Sequence, residues 1–309
     1  MPDGQRVERA GQNRNHWRVR PRHHGPKSED RFGGLPELLE QRVKRHDFYD
    51  APMDDVWTTL SDIATDRESG AAQIAMAAAE ALKEVTVPNL DAAIRLLLQG
   101  HPAMAPLWRL ASDVLSASDP VRGANDFIHR LEADSAAGSA LAPQLPPSLL
   151  TISFSSSVIE MVRGARVHML SCMRSEPGGE GERMARAVAP VRARVIEDEE
   201  AIALVPGAAV VVGADAVSPS GLVNKVKTRA LAEAAREKGV PRYAIVGETK
   251  FLRAELPIQA PFQRVPLELF TAIATPAGLL SPTEAGELAS RARLDPALSP
   301  LLSELSGRM

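Results

Sequence analysis

Apolar residues recur at helical spacing through residues 36–145. In residues 54–66, Val56, Leu60 and Ile63 fall on one face of a helix. Four further helices are predicted at 71–84, 90–98, 104–115 and 121–134. An alanine-, serine- and proline-rich stretch at 135–147 then breaks the pattern and indicates a linker. The folded part of the chain is therefore expected to begin with a helical region that ends near residue 145.

Short apolar runs alternate with helical runs in the second half of the chain. The apolar runs lie at 149–155, 165–172, 193–198, 208–215 and 242–248. They are continuously apolar, which is typical of strands covered on both faces. Strands that alternate with helices indicate βαβ units. The predicted fold class is therefore α/β, with a helical N-terminal domain followed by a domain built on a parallel sheet.

Composition limits where in the cell the protein is expected to act. No apolar run reaches the roughly 18–20 residues of a membrane-spanning helix, and the N-terminus lacks the apolar core of a signal peptide. Cys172 is the single cysteine, so no intrachain disulfide can form. We therefore expect a cytoplasmic protein without a membrane segment.

Charge is distributed unevenly along the chain. The net charge is −3, which does not indicate a nucleic-acid-binding protein. Residues 1–33 nevertheless hold eight Arg and Lys against four acidic residues. Because residues 1–35 contain almost no aliphatic side chains, we expect a disordered, solvated basic tail. Nucleic-acid binding is predicted to be absent, with this tail as the one alternative.

Polar residues follow the predicted strands at the edge where open parallel sheets bind ligands, beyond the carboxyl ends. The first strand ends near Ser153, the second is followed by Arg174 and Arg183, and the fifth ends at Glu248 and Lys250. Hydroxyl, carboxylate and cationic groups are therefore expected to line a cleft at this edge.

The segment after the fourth strand is the most informative. Asp215 lies at the strand tip, and a loop leads to Asn224 and Lys225, which we place at the start of a helix. Backbone amides at a helix N-terminus together with a lysine form a natural phosphate site. Asp215 is a candidate acid, base or hydroxyl acceptor, and the alternative is a carboxylate that caps the turn.

Motifs for metals and common cofactors are missing from the sequence. There is no Cys/His cluster with zinc spacing, no P-loop and no Gly-x-Gly-x-x-Gly motif. The acidic run at 197–200 is explained by a favourable helix dipole. His168 falls in the second predicted strand and is interpreted as a packing residue. We predict neither a metal site nor a cofactor.

Residues 213–246, GADAVSPSGLVNKVKTRALAEAAREKGVPRYAIV, resemble a family signature. It is that of the superfamily of initiation factor 2B alpha, beta and delta subunits and of methylthioribose-1-phosphate and ribose-1,5-bisphosphate isomerases. Weaker matches occur in the family's order at 69–82, 101–110, 148–156 and 265–282. The resemblance covers about residues 54–285.

The resemblance implies a domain plan and a ligand. After the basic tail at 1–35, a helical domain at 36–145 would precede a Rossmann-like sugar-phosphate-binding domain at 146–285 and a C-terminal helical tail at 286–309. A phosphorylated pentose would bind between the domains of a homodimer or higher oligomer. The first function implied is an aldose–ketose isomerase acting on ribose 1,5-bisphosphate or a methylthioribose-1-phosphate-like substrate. The alternative is a non-catalytic regulatory or partner-binding protein like the initiation factor 2B regulatory subunits.

The family's catalytic residues match this chain only in part. Asp215 aligns with the catalytic aspartate, and Ser153 stands where the isomerases have a cysteine. A serine hydroxyl is a much weaker acid than a thiol, whose pKa is about 8.5. Asn224 and Lys225 match the pair that holds phosphate.

The remaining ligand positions diverge further. Gly70 and Ala71 of an Arg-Gly-Ala motif are kept, but its arginine is Ser69. His101 stands in place of the arginine of Arg-Pro-Thr. Arg174 occupies a position where the family has a glutamate, and Arg183 is a candidate replacement for the missing cations. The resemblance therefore makes these residues candidates for binding substrate.

Overall fold

The structure is a computed structural model that describes residues 53–205 and 208–307. The prediction made for the tail at 1–35 lies outside these residues. The first part of the described chain contains five α-helices, and each begins and ends within two residues of its predicted bounds. They are α1 (Met53–Thr65), α2 (Ala71–Lys83), α3 (Leu90–Gly100), α4 (Ala105–Ser116) and α5 (Pro120–Ala133).

The helices pack around one aliphatic core with two large aromatic side chains, Trp108 and Phe127, fully buried in it. Local signals set the helix starts. Asp119 accepts a hydrogen bond from the Val121 amide at 3.0 Å, and Pro120 occupies the first turn, where its missing amide costs nothing. No helix in the described part of the chain is long and apolar enough to cross a membrane.

Within the described residues, ten strands and six further α-helices follow. The strands are β1 (Ser148–Thr151), β2 (Met169–Met173), β3 (Arg192–Ile196), β4 (Ala209–Val212), β5 (Ala216–Ser218), β6 (Gly221–Lys225), β7 (Arg242–Ile245), β8 (Phe262–Val265), β9 (Ala272–Thr275) and β10 (Gly278–Leu280). The helices are α6 (Ser156–Gly164), α7 (Glu180–Ala187), α8 (Asp198–Leu204), α9 (Thr228–Glu237), α10 (Pro282–Arg291) and α11 (Ser299–Gly307).

The main sheet has seven strands in the order β10-β9-β7-β4-β1-β2-β3, and only β10 runs antiparallel to its neighbour. All five predicted strands are present in it. Leu149 and Val211 belong to the core on one face, whereas Leu150 and Val210 belong to the core on the other. Burial on both faces explains the uninterrupted apolar runs, and the α/β prediction with a parallel sheet is confirmed.

A small antiparallel sheet of β5, β6 and β8 was not predicted. It corrects the placement of Asn224 and Lys225, which lie on β6 and not at the start of a helix. Pairing of β6 with the distant strand β8 and complete burial of β6 outweigh the local helix signal. The helix begins only at Thr228, after Lys227 at φ 75°.

The C-terminal helix α11 returns to the first five helices. Leu301 and Leu305 lie in the same core cluster as Trp108. Arg95 on α3 donates to Glu304 at 3.1 Å. Helix α11 therefore belongs to the same layer as α1 to α5, which we call the helical layer.

Candidate functional site

The sequence-predicted edge of the sheet is the place where its strand order reverses. The chain runs from β1 outwards through β2 and β3 and then returns to β4 on the other side of β1. Such reversal points are where open α/β sheets form ligand crevices. Ser153 and Asp215 follow β1 and β4, so both lie at this point. The backbone of Asp215 is fixed by bonds to Val223 at 2.9 Å and to Ala105 of the helical layer at 3.0 Å.

Asp215 is partly buried, and its environment changes its acidity. Burial raises the pKa of Asp215 to about 6, although Lys250 and Lys225 oppose the shift. Removing a carboxylate from water disfavours its charged form, which is the physical cause. Asp215 therefore exchanges a proton near neutral pH, as a general acid or base requires.

Lys250 is the second charged group at this point. It ends the turn Glu248–Lys250 after β7 and is only 6 % exposed. Its ammonium group makes no hydrogen bond or ion pair with any described residue. Burial lowers the pKa of Lys250, and the negative charges of Asp215, Asp134 and Glu160 oppose that shift. The sequence placed Lys250 at a strand end but did not include it among the binding residues.

Asp134 fixes the turn that carries Lys250. This carboxylate ends α5 and is 6 % exposed. It accepts bonds from the Glu248 amide at 2.5 Å, the Thr249 amide at 3.1 Å and the Thr249 hydroxyl at 2.5 Å. Gly247 has no room for a side chain, because a Cβ there would overlap the Asp134 carboxylate. The helical layer thereby determines where Lys250 lies.

Glu160 on α6 adds another carboxylate. Its Oε1 atom is buried and makes no hydrogen bond with the described residues. Burial raises the pKa of Glu160 to about 7. The Thr151 hydroxyl at the end of β1 is likewise buried without a partner. Sequence reasoning missed Glu160 and Asp134. The available signal for Glu160 was a single acidic residue within the apolar stretch VIEMV.

Lys225 is paired inside the protein. Its side chain is 2 % exposed, and its ammonium donates to Glu180 Oε1 at 2.5 Å and to the Pro177 carbonyl. Gly181 lets the start of α7 approach β2 closely, since a Cβ there would overlap the Met173 carbonyl. Asn224 donates to the Thr228 hydroxyl at 3.1 Å. The Lys225 charge is therefore already balanced by a carboxylate.

The N-terminus of α9 is also occupied. The Gln263 amide is oriented so that both its oxygen and its nitrogen have hydrogen-bond partners. Its oxygen then accepts bonds from the Lys227, Thr228 and Arg229 amides at 3.0, 2.9 and 2.9 Å. The sequence predicted that such amides together with Lys225 would hold phosphate. In the structure the three amides have a partner on β8, and Lys225 lies on β6.

Three non-glycine residues in the described part of the chain have positive φ, and they share one network. They are Ser153 at 66°, Ser175 at 68° and Lys227 at 75°. The Ser153 amide donates to the Ser175 hydroxyl at 2.8 Å. Asp198, 3 % exposed, accepts from the Ser175 amide at 2.8 Å and from the Lys227 ammonium at 2.6 Å. Backbone strain of this kind persists only where surrounding contacts over-determine it, and it concentrates at functional sites.

Two more predicted residues lie around Phe154. The Arg183 guanidinium stacks on the Phe154 ring at 4.2 Å from its centroid. A Cβ on Gly70, which precedes Ala71 at the start of α2, would lie 3.6 Å from the same ring. Gly70 and Arg183 are thus brought to the loop that carries Ser153, and Ala71 follows Gly70 as the first residue of α2.

Arg174 and His101 make other contacts. Arg174 bonds Glu197 at 2.7 Å and Glu182 at 2.6 Å on the surface. The His101 ring is buried, with Nε2 2.7 Å from the Ile63 carbonyl of α1, and burial lowers its pKa. Both side chains therefore have partners away from Asp215.

Cys172 and His168 differ in burial. Cys172 is fully buried in β2, and burial raises the pKa of its thiol to about 12. His168 lies just before β2 and is exposed, so its interpretation as a packing residue is wrong. Within the described residues, no group of three or more His, Cys, Asp and Glu side chains is placed to hold a metal ion.

A mainly parallel sheet covered on both faces, with lysines, carboxylates and a hydroxyl near its switch point, defines a doubly wound α/β protein. The chain belongs to the initiation factor 2 subunit family, whose model matches residues 67–272. This match confirms the family resemblance read from the sequence. No curated protein matches the chain.

Solved structures of initiation factor 2B proteins have the same fold. The Pyrococcus horikoshii OT3 translation initiation factor eIF-2B is 25 % identical, with a TM-score of 0.67 over 76 % of this chain and 99 % of that one. The tetrameric eIF2B beta2-delta2 complex from C. thermophilum is 17 % identical, with a TM-score of 0.65 over 82 % and 98 %. The eIF-2B delta subunit from A. fulgidus is 16 % identical, with a TM-score of 0.53 over 76 % and 91 %. The last two similarities concern the fold alone.

Proposed function

We propose that this chain is a non-catalytic member of its family, a regulatory or partner-binding protein that does not turn over sugar phosphates. One observation carries the proposal: Lys225, which aligns with the family's phosphate-binding lysine, is buried against Glu180 at 2.5 Å. A phosphate would have to displace this carboxylate, so its binding would first have to offset the loss of an existing charge-assisted bond.

The charge balance around Asp215 supports the same proposal. Two lysines, Lys225 and Lys250, lie among four carboxylates, those of Asp134, Glu160, Glu180 and Asp215. A phosphate dianion requires a surplus of positive charge or free amide donors. The amides at the start of α9 already bond Gln263, and Arg174 already bonds two glutamates.

The thiol chemistry of the isomerases has no evident substitute. Ser153 stands at the cysteine position, and a hydroxyl loses its proton far less readily than a thiol. Cys172 is buried in β2 with a pKa of about 12, which keeps it protonated. Loss of one general acid or base typically lowers a rate by about 10²–10⁴-fold.

An aldose–ketose isomerase acting on a ribose phosphate is the second candidate, and a specific observation favours it. Asp215 has a pKa of about 6, and Lys250 lies nearby without a hydrogen bond or ion pair to any described residue. A carboxylate poised near neutral pH suits proton transfer between C1 and C2 of a sugar. In this case Ser153 would polarise a substrate oxygen, and a phosphorylated pentose would bind to Lys250.

One of the solved structures with the same fold is a tetrameric complex, which supports a proposal about assembly. We propose that this chain also acts as a homodimer or a higher oligomer. We further propose that it is cytoplasmic, as expected for a partner of the translation machinery.

Releasing Lys225 provides the test. The purified protein and its Glu180→Gln variant are screened by thermal shift against ribose 1,5-bisphosphate, methylthioribose-1-phosphate, ribose 5-phosphate and nucleoside monophosphates. Glu182→Gln is the matched control, because this glutamate lies two residues away and pairs with Arg174 on the surface. A ligand at 100 times its dissociation constant stabilises the folded state by about 2.7 kcal/mol.

The two candidates predict opposite results. A non-catalytic protein shows no shift as wild type, gains a shift in Glu180→Gln only, and converts none of the compounds. An isomerase shows a wild-type shift and turnover of one compound, with turnover abolished in Asp215→Asn. Wild-type turnover with that dependence on Asp215 would rule out our proposal.

A further inference from the structure

A band of positive charge surrounds the amino-terminal ends of β2 and β3, at the opposite edge of the sheet from Asp215. Residues 161–173 and 184–196 contain five arginines and no acidic residue, although the whole chain carries a net charge of −3. All five are exposed: Arg163, Arg166, Arg186, Arg192 and Arg194. This segregation of charge sets the face apart from the mixed charges elsewhere.

Structural roles account for only part of the band. Arg163 donates to the Ala187 carbonyl at the end of α7 at 2.7 Å, and Arg194 donates to the Ser171 hydroxyl at 3.0 Å. Arg166, Arg186 and Arg192 form no hydrogen bond or ion pair with the residues that the structure describes. Arg186 lies in the last turn of α7, where the helix dipole favours a cation. Arg166 and Arg192 have no such explanation.

The charges lie beside an open strand edge. Among the described strands, β3 is the last in the sheet and pairs only with β2. Alternate residues of a strand share a face, so Arg192 and Arg194 lie on one face and Ala193 and Val195 on the other. The two arginines are exposed, whereas Ala193 and Val195 are half-buried.

A groove leads into this edge. It is open, with a volume of about 440 Å³, and it is lined by Val167, His168, Pro190, Val191 and Arg192. Three of these side chains are aliphatic and two can carry positive charge. The groove and the β3 edge form one continuous surface, because Arg192 belongs to both.

We propose that the β3 edge binds an extended acidic segment of a partner protein by strand addition. Backbone groups of the segment pair with the free edge of β3, as in other complexes of this kind. Acidic side chains at every second position lie opposite Arg192 and Arg194, and aliphatic side chains between them pack towards Ala193 and Val195. One further apolar side chain occupies the groove beside His168. This site is separate from the Asp215 site and does not depend on either function proposed for it.

Charge and composition select this occupant over two others. A second copy of the chain pairing through β3 would bring arginines opposite arginines, and like charges across strands are destabilising. Single-stranded nucleic acid binds largely by stacking its bases on aromatic side chains. Residues 161–196 contain no Phe, Tyr or Trp.

The test measures binding of an alternating Glu-Val peptide of about eight residues, long enough to span β3 at about 3.3 Å per residue. A fluorescent label reports binding by anisotropy to the full chain. The variant is the double charge reversal Arg192→Glu with Arg194→Glu. Its matched control is Arg122→Glu with Arg291→Glu, which changes the net charge equally at side chains that are 76 % and 77 % exposed on α5 and α10.

The proposal predicts saturable binding that weakens about tenfold or more in the β3 variant and less than about twofold in the control. The bound peptide should also slow amide hydrogen exchange within residues 192–196. Equal weakening in both double variants would indicate non-specific charge attraction and overturn the proposal. Absence of binding would overturn it too, and would leave the arginines as a guard against edge-to-edge aggregation. Tighter binding of an oligouridylate of equal charge would assign the face to nucleic acid instead.

Discussion

Replacing Asp134 with alanine tests whether this carboxylate holds the helical layer to the turn that carries Lys250. Asp134 is 6 % exposed and accepts three hydrogen bonds from the backbone and side chain of residues 248–249. Alanine removes all three acceptor contacts without adding bulk. The Thr249 residue that donates two of them is 1 % exposed, so water cannot easily replace the lost partner.

The expected cost follows from these contacts. A buried donor left without an acceptor costs about 1–3 kcal/mol. Two buried donors on Thr249 and a half-buried amide on Glu248 give a gross loss of about 3–6 kcal/mol. Relief from burying a carboxylate, which raises the pKa of Asp134, offsets part of it. We expect the free energy of unfolding to fall by about 2–4 kcal/mol.

Urea denaturation at pH 7 measures this change, with Asp126→Ala as the control. Asp126 lies on the same helix, its side chain is 57 % exposed, and its contact with Arg122 is 3.9 Å long. Exposed pairs of this kind contribute about 0–1 kcal/mol. Hydrogen exchange provides a local readout, because Asp134→Ala should also deprotect the Thr249 amide.

A loss below about 1 kcal/mol in Asp134→Ala, with the Thr249 amide still protected, would contradict the reasoning. It would mean that other contacts hold the turn and that Asp134 only lies beside it. A large loss in Asp126→Ala as well would show that α5 is sensitive throughout, so the effect could not be assigned to Asp134.

Three further predictions concern buried groups. The pKa of Glu160 is about 7 in the folded state, above its ordinary value of 4.5, so stability should fall as the pH rises between these values. In urea denaturation, the free energy of unfolding of Glu160→Gln should therefore exceed that of wild type by about 1–2 kcal/mol at pH 8 and equal it at pH 4. This magnitude is discounted because the side chain is partly exposed. Cys172 should resist alkylation at pH 8 and react only in urea, as a time course followed by mass spectrometry would show, since burial raises its pKa to about 12. Trp108→Phe should cost about 1–3 kcal/mol in urea denaturation, because the indole of this fully buried side chain donates to the Pro102 carbonyl at 3.0 Å.

Periodicity predicted the main elements because each has a strong local cause. Val56, Leu60 and Ile63 do lie along one helix, and the runs at 149–155 and 208–215 do contain strands buried on both faces. The order of these elements was enough to predict that Ser153 and Asp215 follow strands ending at the same edge, and β1 and β4 are neighbours in the sheet. An uninterrupted apolar run and a helical spacing of apolar residues both involve residues close together in the sequence, so the sequence alone is enough to detect them.

The small sheet and the pairings at the site depend on distant residues. Lys225 meets Glu180, which lies 45 residues away, and β6 meets β8 across an intervening helix and strand. Asp134 reaches residues 248–249 from the helical layer. Such contacts are set by the packing of whole elements, so no local pattern indicates that Lys225 has a partner or that Lys250 has none among the described residues.

The backbone conformation at residue 153 is held by residues other than its own side chain. Its left-handed conformation is held by the hydroxyl of Ser175, whose turn is in turn held by Asp198. Because the Ser153 amide, and not its side chain, makes this bond, a small unbranched side chain at 153 would be carried on the same backbone. Ser153→Cys would place a thiol on that backbone in a single step, whereas loss of Asp198 would relax the turns at 175 and 227 together. Whether position 153 can present a thiol in this conformation is therefore set by two residues outside it, Ser175 after β2 and Asp198 at the start of α8.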